Sequence, residues 1–273
     1  MSLYLNGATI MTTPTDRQVE IAREAGYRGV EVRGERLLED PEEVRRAAAI
    51  VAPDEVWSLN GVRVSLFADG SLDRETLLAD LGPRLAVCRE LGAAYLLAVP
   101  PRLAGVDPER ALVAVRDGLA MARDRLAPHG IGLAFEFLGF FDCPIGDPRR
   151  AAEVLTGLAG VDLVLDSCHW HASGGGSLEG FPVERLAMVH LNDAPAKEPS
   201  RIEDADRLLP GQGVIRLGEL LAELRDRGYE GPFSVETFNP DHWAADPRQI
   251  ARQGYGAAGE LLQSAGFPVR SAP

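Results

Sequence analysis

The chain has 273 residues, of which 45% are apolar and 25% charged, values typical of an ordinary globular protein. Acidic side chains outnumber basic ones 41 to 28, and the formal charge is −13, so a nucleic-acid partner is not expected. We see no long apolar run and no basic leader, so we expect neither a membrane span nor a signal peptide. Three widely spaced cysteines, Cys88, Cys143 and Cys168, argue against a disulfide framework and favour the cytoplasm.

Short apolar runs alternate with longer amphipathic stretches along the chain, which is the pattern of repeated βα units. Eight runs are predicted to be strands: residues 3–9, 29–33, 56–60, 95–99, 132–137, 162–166, 187–190 and 233–236. Seven stretches are predicted to be helices: residues 15–25, 41–52, 73–91, 108–127, 148–158, 217–227 and 247–265. No linker divides the chain, so we predict one α/β domain over residues 1–273, a (β/α)8 TIM barrel.

Two connections differ from the regular pattern. The segment after the sixth predicted strand has little helical character and is rich in glycine. The segment from 193 to 213, after the seventh strand, is a long polar loop. Such loops lie at the carboxyl ends of barrel strands, where substrates bind, so this loop is expected to form a lid or a pocket wall.

Polar residues end four consecutive predicted strands: Glu136, Asp166, His190 and Glu236. One such residue alone is often a loop cap or a core residue. In a barrel, however, all four would face the same mouth, where three carboxylates repel one another unless a cation lies between them. Three carboxylates and one imidazole favour Mn²⁺ or Mg²⁺, with Co²⁺ and Zn²⁺ as alternatives. We therefore predict a divalent metal site.

Two further segments carry candidate substrate contacts. His169 and His171 follow the strand-end aspartate and are suited to bind a hydroxyl or carbonyl and to move protons near neutral pH. For His171, a solvent-facing position beside the neighbouring tryptophan is the alternative. Arg207 belongs to the long polar loop and is expected to reach the mouth, with a surface ion pair to Asp204 or Asp206 as the alternative.

These residues resemble the xylose-isomerase-like barrel family of sugar isomerases and epimerases, over essentially the whole chain. Within it, the chain is most similar to the 2-keto-myo-inositol isomerases of inositol catabolism. The resemblance rests on the segments 6–9, 31–33, 97–100, 135–139, 165–171, 190–193, 206–213 and 234–240. Gly7 departs from the family pattern, because close relatives often carry a glutamate there.

The resemblance implies a metal-dependent isomerase or epimerase that acts on a keto-inositol or related keto-polyol by proton transfer through an enediolate. One divalent ion, expected to be Mn²⁺, would be bound by the strand-end set. The implied catalytic residues are Glu136, Glu236 and His169. The expected substrate contacts are His169, His171, Arg207 and Asn6.

Other functions remain open on the same residues. The main alternative is a dehydratase of the same fold acting on 3-dehydroshikimate or an inosose. More remote are an endonuclease-IV-like nuclease, which needs more histidines than the five present, and a non-catalytic sugar or metal sensor. The sequence allows a homo-oligomer.

Overall fold

Eight parallel strands form a closed barrel in the order β1 to β8, with β1 paired to β8. This architecture, seen in a computed structural model that describes residues 1–268, confirms the predicted (β/α)8 fold. The strands are β1 Leu3–Asn6, β2 Gly29–Arg33, β3 Val56–Arg63, β4 Tyr95–Val99, β5 Gly132–Glu136, β6 Asp162–Asp166, β7 Leu186–Leu191 and β8 Phe233–Val235.

Ten α-helices lie between and after the strands within the described residues. They are α1 Thr15–Ala25, α2 Gly34–Leu37, α3 Pro41–Ala48, α4 Arg74–Leu91, α5 Pro108–Leu126, α6 Pro148–Val154, α7 Ser167–Ala172, α8 Leu217–Asp226, α9 Pro240–Ala244 and α10 Pro247–Ser264. Short 3-10 turns add Gly7–Ile10, Ala127–His129, Val183–Arg185, Pro199–Arg201 and Asp204–Asp206. The three short helices α2, α7 and α9 are absent from the sequence-based prediction.

Four helices begin at an Asp-Pro pair, and each aspartate is a true N-cap. The carboxylates accept backbone N–H groups of the first turn, and proline occupies an early helical position that needs no hydrogen-bond donor. The capped helices are α3, α5, α6 and α10. They fix where the outer layer starts after strands β2, β4, β5 and β8.

The barrel interior is layered. A buried apolar cluster fills its lower part and consists of Tyr4, Trp57, Leu97, Ala134, Val164 and Met188. Side chains two residues apart on a strand face the same side. The residues two positions after Ala134, Val164 and Met188 are Glu136, Asp166 and His190. Their side chains therefore lie directly above the apolar layer. The strand period thus places the polar set at the carboxyl end of the barrel.

Several predicted boundaries were too long. β1 ends at Asn6 rather than at residue 9, because the Asn6 side chain accepts the N–H of Ala8 and starts a 3-10 turn. β8 ends at Val235, so Glu236 follows the strand instead of belonging to it. Helices α3 and α6 end at Ala48 and Val154, several residues before the predicted ends. Within residues 1–268, no helix combines the length and apolar character needed to cross a membrane.

Candidate metal and active site

Glu136, Asp166, His190 and Glu236 converge at the mouth of the barrel. One donor atom from each lies within 4.8 Å of the others, and all four side chains are buried. The Nδ1 atom of His190 lies 3.0 Å from Glu136 Oε1 and 3.2 Å from Glu236 Oε2. The structure therefore brings together the four residues that the sequence predicts as metal ligands.

The set carries more negative charge than its surroundings readily tolerate. Burial raises the pKa of Glu136 to about 7, and the charges of Glu236 and Asp166 add to the rise. Burial also raises the pKa of Asp166. Burial alone would lower the pKa of His190, yet the carboxylates of Glu236, Glu31 and Glu136 hold it well above its ordinary value. Burial acts on Glu236 as well, but the charges of His190, Arg207 and Arg33 outweigh it and lower the pKa of this carboxyl instead. Two carboxylates that are hard to ionise, beside a retained imidazolium proton, mark a place suited to another cation.

The donor chemistry fits a divalent ion. Glu136, Asp166 and Glu236 offer carboxylate oxygens and His190 offers a ring nitrogen. These are ligands used for Mn²⁺, Co²⁺ and Zn²⁺ in proteins.

Arg207 is the basic residue closest to this set and is almost fully buried, with 1% of its surface exposed. Its Nη1 donates to Asp166 Oδ2 at 2.9 Å and to Glu236 Oε2 at 2.8 Å. Its Nη2 lies 2.8 Å from Asp204 Oδ1 and 3.0 Å from His169 Nε2. The arginine therefore reaches the mouth, as predicted, and also pairs with an aspartate of its own loop, the contact named as the alternative.

The loop that carries Arg207 is fixed on both sides. Asp193 and Leu208 exchange backbone hydrogen bonds of 2.9 and 2.8 Å, which close the loop at its base. The side chain of Asn239 donates to the carbonyl oxygen of Arg207 at 3.0 Å. The predicted wall of the pocket is thus held in place by its own base, just after β7, and by the segment after β8.

His169 lies on α7, whose N-cap is Asp166. The Asp166 carboxylate accepts the backbone N–H of His169 at 2.8 Å. Burial, reinforced by the charge of Arg207, lowers the pKa of His169 to about 3, so the ring is neutral near pH 7. Arginine can only donate hydrogen bonds, so Nε2 accepts from Arg207 and the ring proton sits on Nδ1. That Nδ1 is buried without a hydrogen-bond partner in the described protein.

A cavity of about 420 Å³ opens above the set. Glu136, Glu236, His169 and Arg207 line it, whereas Asp166 and His190 do not. The two glutamates therefore face the cavity, and the aspartate and histidine lie outside its lining. Other lining residues include Arg33, Asn60, Arg63, Leu138, Phe140 and Phe238.

Two residues predicted to bind substrate lie elsewhere. Asn6 is fully buried, and its amide donates to Glu31 Oε1 at 3.2 Å and to Asn60 Oδ1 at 2.9 Å. His171 is only partly buried and is not among the residues that line the cavity. Neither side chain is brought to the cavity wall, so their contact with a substrate remains a prediction.

Sequence reasoning missed Arg33, which with Arg207 is in contact with the donor set. Its Nη1 lies 3.1 Å from Asn60 Oδ1 and 3.3 Å from Glu236 Oε1. The guanidinium also lies 4.9 Å from the centre of the Phe238 ring. The sequence did contain a signal for it. Glu31 and Arg33 lie two positions apart on β2, so both side chains must be on the same face of the strand.

Gly7 lies beside Arg33. A Cβ atom at position 7 would be 2.5 Å from Gln18 Oε1 and 3.2 Å from the Cγ of Arg33. The space that a side chain would take here is therefore already occupied.

Known proteins are similar to this chain in sequence and in fold. The chain matches the family described as Xylose isomerase-like TIM barrel over residues 19–258. It belongs to that family. This confirms the resemblance predicted from the strand-end segments.

Curated relatives fall into two groups. The inosose isomerase of Bacillus velezensis is 28% identical over 263 residues, covering 89% of this chain and 90% of that protein. The match to the inosose isomerase of Halalkalibacterium halodurans, also 28% identical, is shorter and covers 61% of each protein. The 3-dehydroshikimate dehydratase of Pseudomonas aeruginosa is 29% identical over 268 residues, covering 90% of this chain but 40% of that protein. The first group supports an isomerase, and a dehydratase is also a relative.

Among solved structures, the IolI protein, crystallised with a zinc atom, superposes with a TM-score of 0.87 at 23% identity. The superposition covers 97% of this chain and 99% of that one. At this identity the likeness supports the barrel fold.

Proposed function

We propose that this protein is a divalent-metal-dependent isomerase that moves the carbonyl group of a keto-inositol or a closely related keto-polyol by one carbon. The observation that carries the proposal is the buried set of four donors below a cavity that two of its carboxylates also line. The inosose isomerase name of the Bacillus velezensis relative, which aligns along nearly its whole length, supplies the substrate class.

The proposed ion is Mn²⁺, held by Glu136, Asp166, His190 and Glu236. A bound divalent ion would polarise the substrate carbonyl and make the neighbouring C–H more acidic. The zinc atom of the IolI protein supports a divalent ion in a barrel of the same fold. Mg²⁺, Co²⁺ and Zn²⁺ are the alternatives to test.

The protein would move the proton with its two cavity-facing carboxylates. Glu136 ends β5, Glu236 directly follows β8, and both line the cavity. A substrate in the cavity can lose a carbon-bound proton to one carboxylate, pass through an enediolate and regain a proton at the adjacent carbon, while the proton of its hydroxyl group moves to the former carbonyl oxygen. Such positioned acid–base groups contribute about 10²–10⁴-fold to a rate.

His169 and Arg207 would orient the substrate. The Nδ1–H of neutral His169 is a hydrogen-bond donor without a protein partner, and the residue lines the cavity. The Nε of Arg207 is also buried and without a partner in the described protein. Two free donors at a cavity wall suit the oxygens of a polyol, because each would otherwise remain an uncompensated buried group.

A dehydratase is the second candidate, supported by the match to the Pseudomonas aeruginosa enzyme along 90% of this chain. Its reaction would begin with the same proton removal and then expel a neighbouring hydroxyl group. Loss of water from 3-dehydroshikimate creates a conjugated product that absorbs ultraviolet light, whereas an isomerase conserves the mass of its substrate.

The proposed setting is the cytoplasm, because Cys88, Cys143 and Cys168 are all free thiols. The small-molecule substrate is the only partner in the proposal. No nucleic acid or membrane is invoked, and a homo-oligomer is compatible with it.

The test is incubation of Mn²⁺-loaded protein in D₂O with a panel of keto-inositols and ketoses, followed by NMR. We expect deuterium at carbons beside the carbonyl, together with an isomeric product of unchanged mass apart from the label. Protein treated with a chelator should be inactive and should recover on addition of Mn²⁺. Full turnover by metal-free protein, or binding of the panel without any exchange, would refute the proposal.

A further inference from the structure

The histidine of the donor set has a carboxylate partner on the far side of its ring. Glu31 projects from β2 and is fully buried. The Nε2 atom of His190 lies 3.1 Å from Glu31 Oε1 and 3.3 Å from Glu31 Oε2. Thus His190 lies between Glu31 on one side and the carboxylates of Glu136 and Glu236 on the other.

Glu31 is itself held by neutral groups. Ser58 Oγ donates to Glu31 Oε2 at 2.7 Å, and the Asn60 amide donates to the same oxygen at 3.3 Å. The amide of Asn6 donates to Glu31 Oε1 at 3.2 Å. These contacts hold the carboxylate in one orientation. The buried Asn6 is thus one of the residues that orient Glu31.

The free-energy cost of burying the Glu31 carboxylate indicates that the residue has a function. Among the described residues, no arginine or lysine lies within 4.0 Å of the Glu31 carboxylate, and His190 is its ion-pair partner. Burying a carboxylate together with a protonated imidazole costs desolvation energy that their attraction offsets only in part, and apolar residues of similar size would fill the space at a lower cost. A role that needs an acceptor at this position explains why a glutamate stands here.

The geometry determines what each ring nitrogen can do. An ionised carboxylate only accepts hydrogen bonds, so Nε2 must carry a proton and donate it to Glu31. Nδ1 faces Glu136 and Glu236, which belong to the donor set. Nδ1 is therefore the ring nitrogen that faces the place of the ion, and Nε2 is held by Glu31.

We propose that Glu31 is a positioning residue that fixes the orientation and tautomer of His190, so that Nδ1 is presented to the ion. This inference rests on the proposed metal site and adds a residue from β2, on the other side of the barrel, to it. A carboxylate behind a metal-binding histidine raises the basicity of the ring, and loss of such a partner typically weakens metal binding by about 10–100-fold.

The test compares Glu31→Gln and Glu31→Leu with the wild type. The matched control is Glu43→Gln, because Glu43 is also a buried carboxylate but is bound to Thr15 and Arg36 in another part of the molecule. Mn²⁺ affinity is measured by competition with a chelating dye. The visible spectrum of Co²⁺-loaded protein reports changes in the ligands themselves.

We expect Mn²⁺ to bind about 10-fold more weakly to Glu31→Gln, whose amide oxygen still accepts from Nε2. The loss for Glu31→Leu should reach about 100-fold, with an altered Co²⁺ spectrum in both variants. Glu43→Gln should bind as the wild type does. Normal binding by this control would show that loss of a buried carboxylate elsewhere does not weaken the metal site, and the graded loss from glutamine to leucine identifies the acceptor as the important feature.

Wild-type Mn²⁺ affinity and an unchanged Co²⁺ spectrum in Glu31→Gln would overturn the inference, even if Glu31→Leu failed to fold. The titration uses the ion alone, so its result does not depend on the substrate. If the wild type binds Mn²⁺ and Glu31→Gln loses affinity while no keto-inositol is turned over, the role of Glu31 stands and the proposed reaction fails. If the wild type binds none of these ions, both fail.

Discussion

Replacing Arg207 by methionine should destabilise the metal-free protein strongly. The guanidinium is 1% exposed and has contacts of 2.8–3.0 Å with Asp166, Glu236, His169 and Asp204. Breaking a buried ion pair from one side costs about 3–5 kcal/mol, because the remaining charge is left without a partner. At roughly 2–4 °C per kcal/mol for a large domain, the melting temperature should fall by about 6–20 °C.

The assay is thermal unfolding in the presence of a chelator and again with saturating Mn²⁺. The added cation supplies positive charge to the same carboxylates, so the deficit of Arg207→Met should shrink when the ion is present. The matched control is Arg110→Met, since Arg110 forms an exposed ion pair with Asp69 that is worth only about 0–1 kcal/mol. A variant that melts within about 2 °C of the wild type in chelator would refute the reasoning on buried charge.

Three further predictions test the site and its surroundings. Glu136→Gln and Glu236→Gln should each lower kcat by at least ~10²-fold in a steady-state assay, and near-normal rates in both would rule out proton transfer by these two carboxylates. Burial raises the pKa of Glu43, but its hydrogen bonds from an arginine and a threonine outweigh this and hold the pKa below its ordinary value. The stabilisation from Glu43 is therefore present above the unfolded pKa of about 4.3 and is lost as the pH falls through the lower folded pKa. Glu43→Gln should accordingly reduce stability at pH 7 in unfolding experiments, and the difference from the wild type should diminish on acidification; a difference that grows would contradict this. Gly139→Ala would place a Cβ atom 2.1 Å from a backbone oxygen of α7, so it should lower both stability and kcat, whereas Gly176→Ala, with open space around it, should affect neither.

Much of the fold could be predicted because the hydrophobic pattern, the turn residues and the helix caps all indicate the same strands and helices. The predicted strands 29–33, 95–99 and 162–166 agree with β2, β4 and β6 at both ends. Alternation and turn residues are local signals, and four aspartate caps mark where helices begin. The short helix α7 was not predicted, because six residues rich in histidine carry no amphipathic period, and its start depends on Asp166 accepting an N–H three residues later.

The site was predictable only in part. Glu136, Asp166, His190 and Glu236 could be selected because each stands at the end of a predicted strand, and the topology of a barrel brings such ends together. Glu31 and Arg33 were overlooked because they contact His190 and Glu236 across the barrel, between strands far apart in sequence. The partners of a buried charge depend on side-chain directions in the closed barrel. For the same reason, Asn6 could be placed in the first predicted strand but not assigned to Glu31.

The most direct test of the account is an anomalous difference map from crystals of the protein grown with Mn²⁺. We predict one strong peak within bonding distance of carboxylate oxygens of Glu136, Asp166 and Glu236 and of Nδ1 of His190. A map at saturating Mn²⁺ with no peak among these four side chains, or with the ion bound elsewhere, would contradict the metal centre on which the proposed chemistry depends.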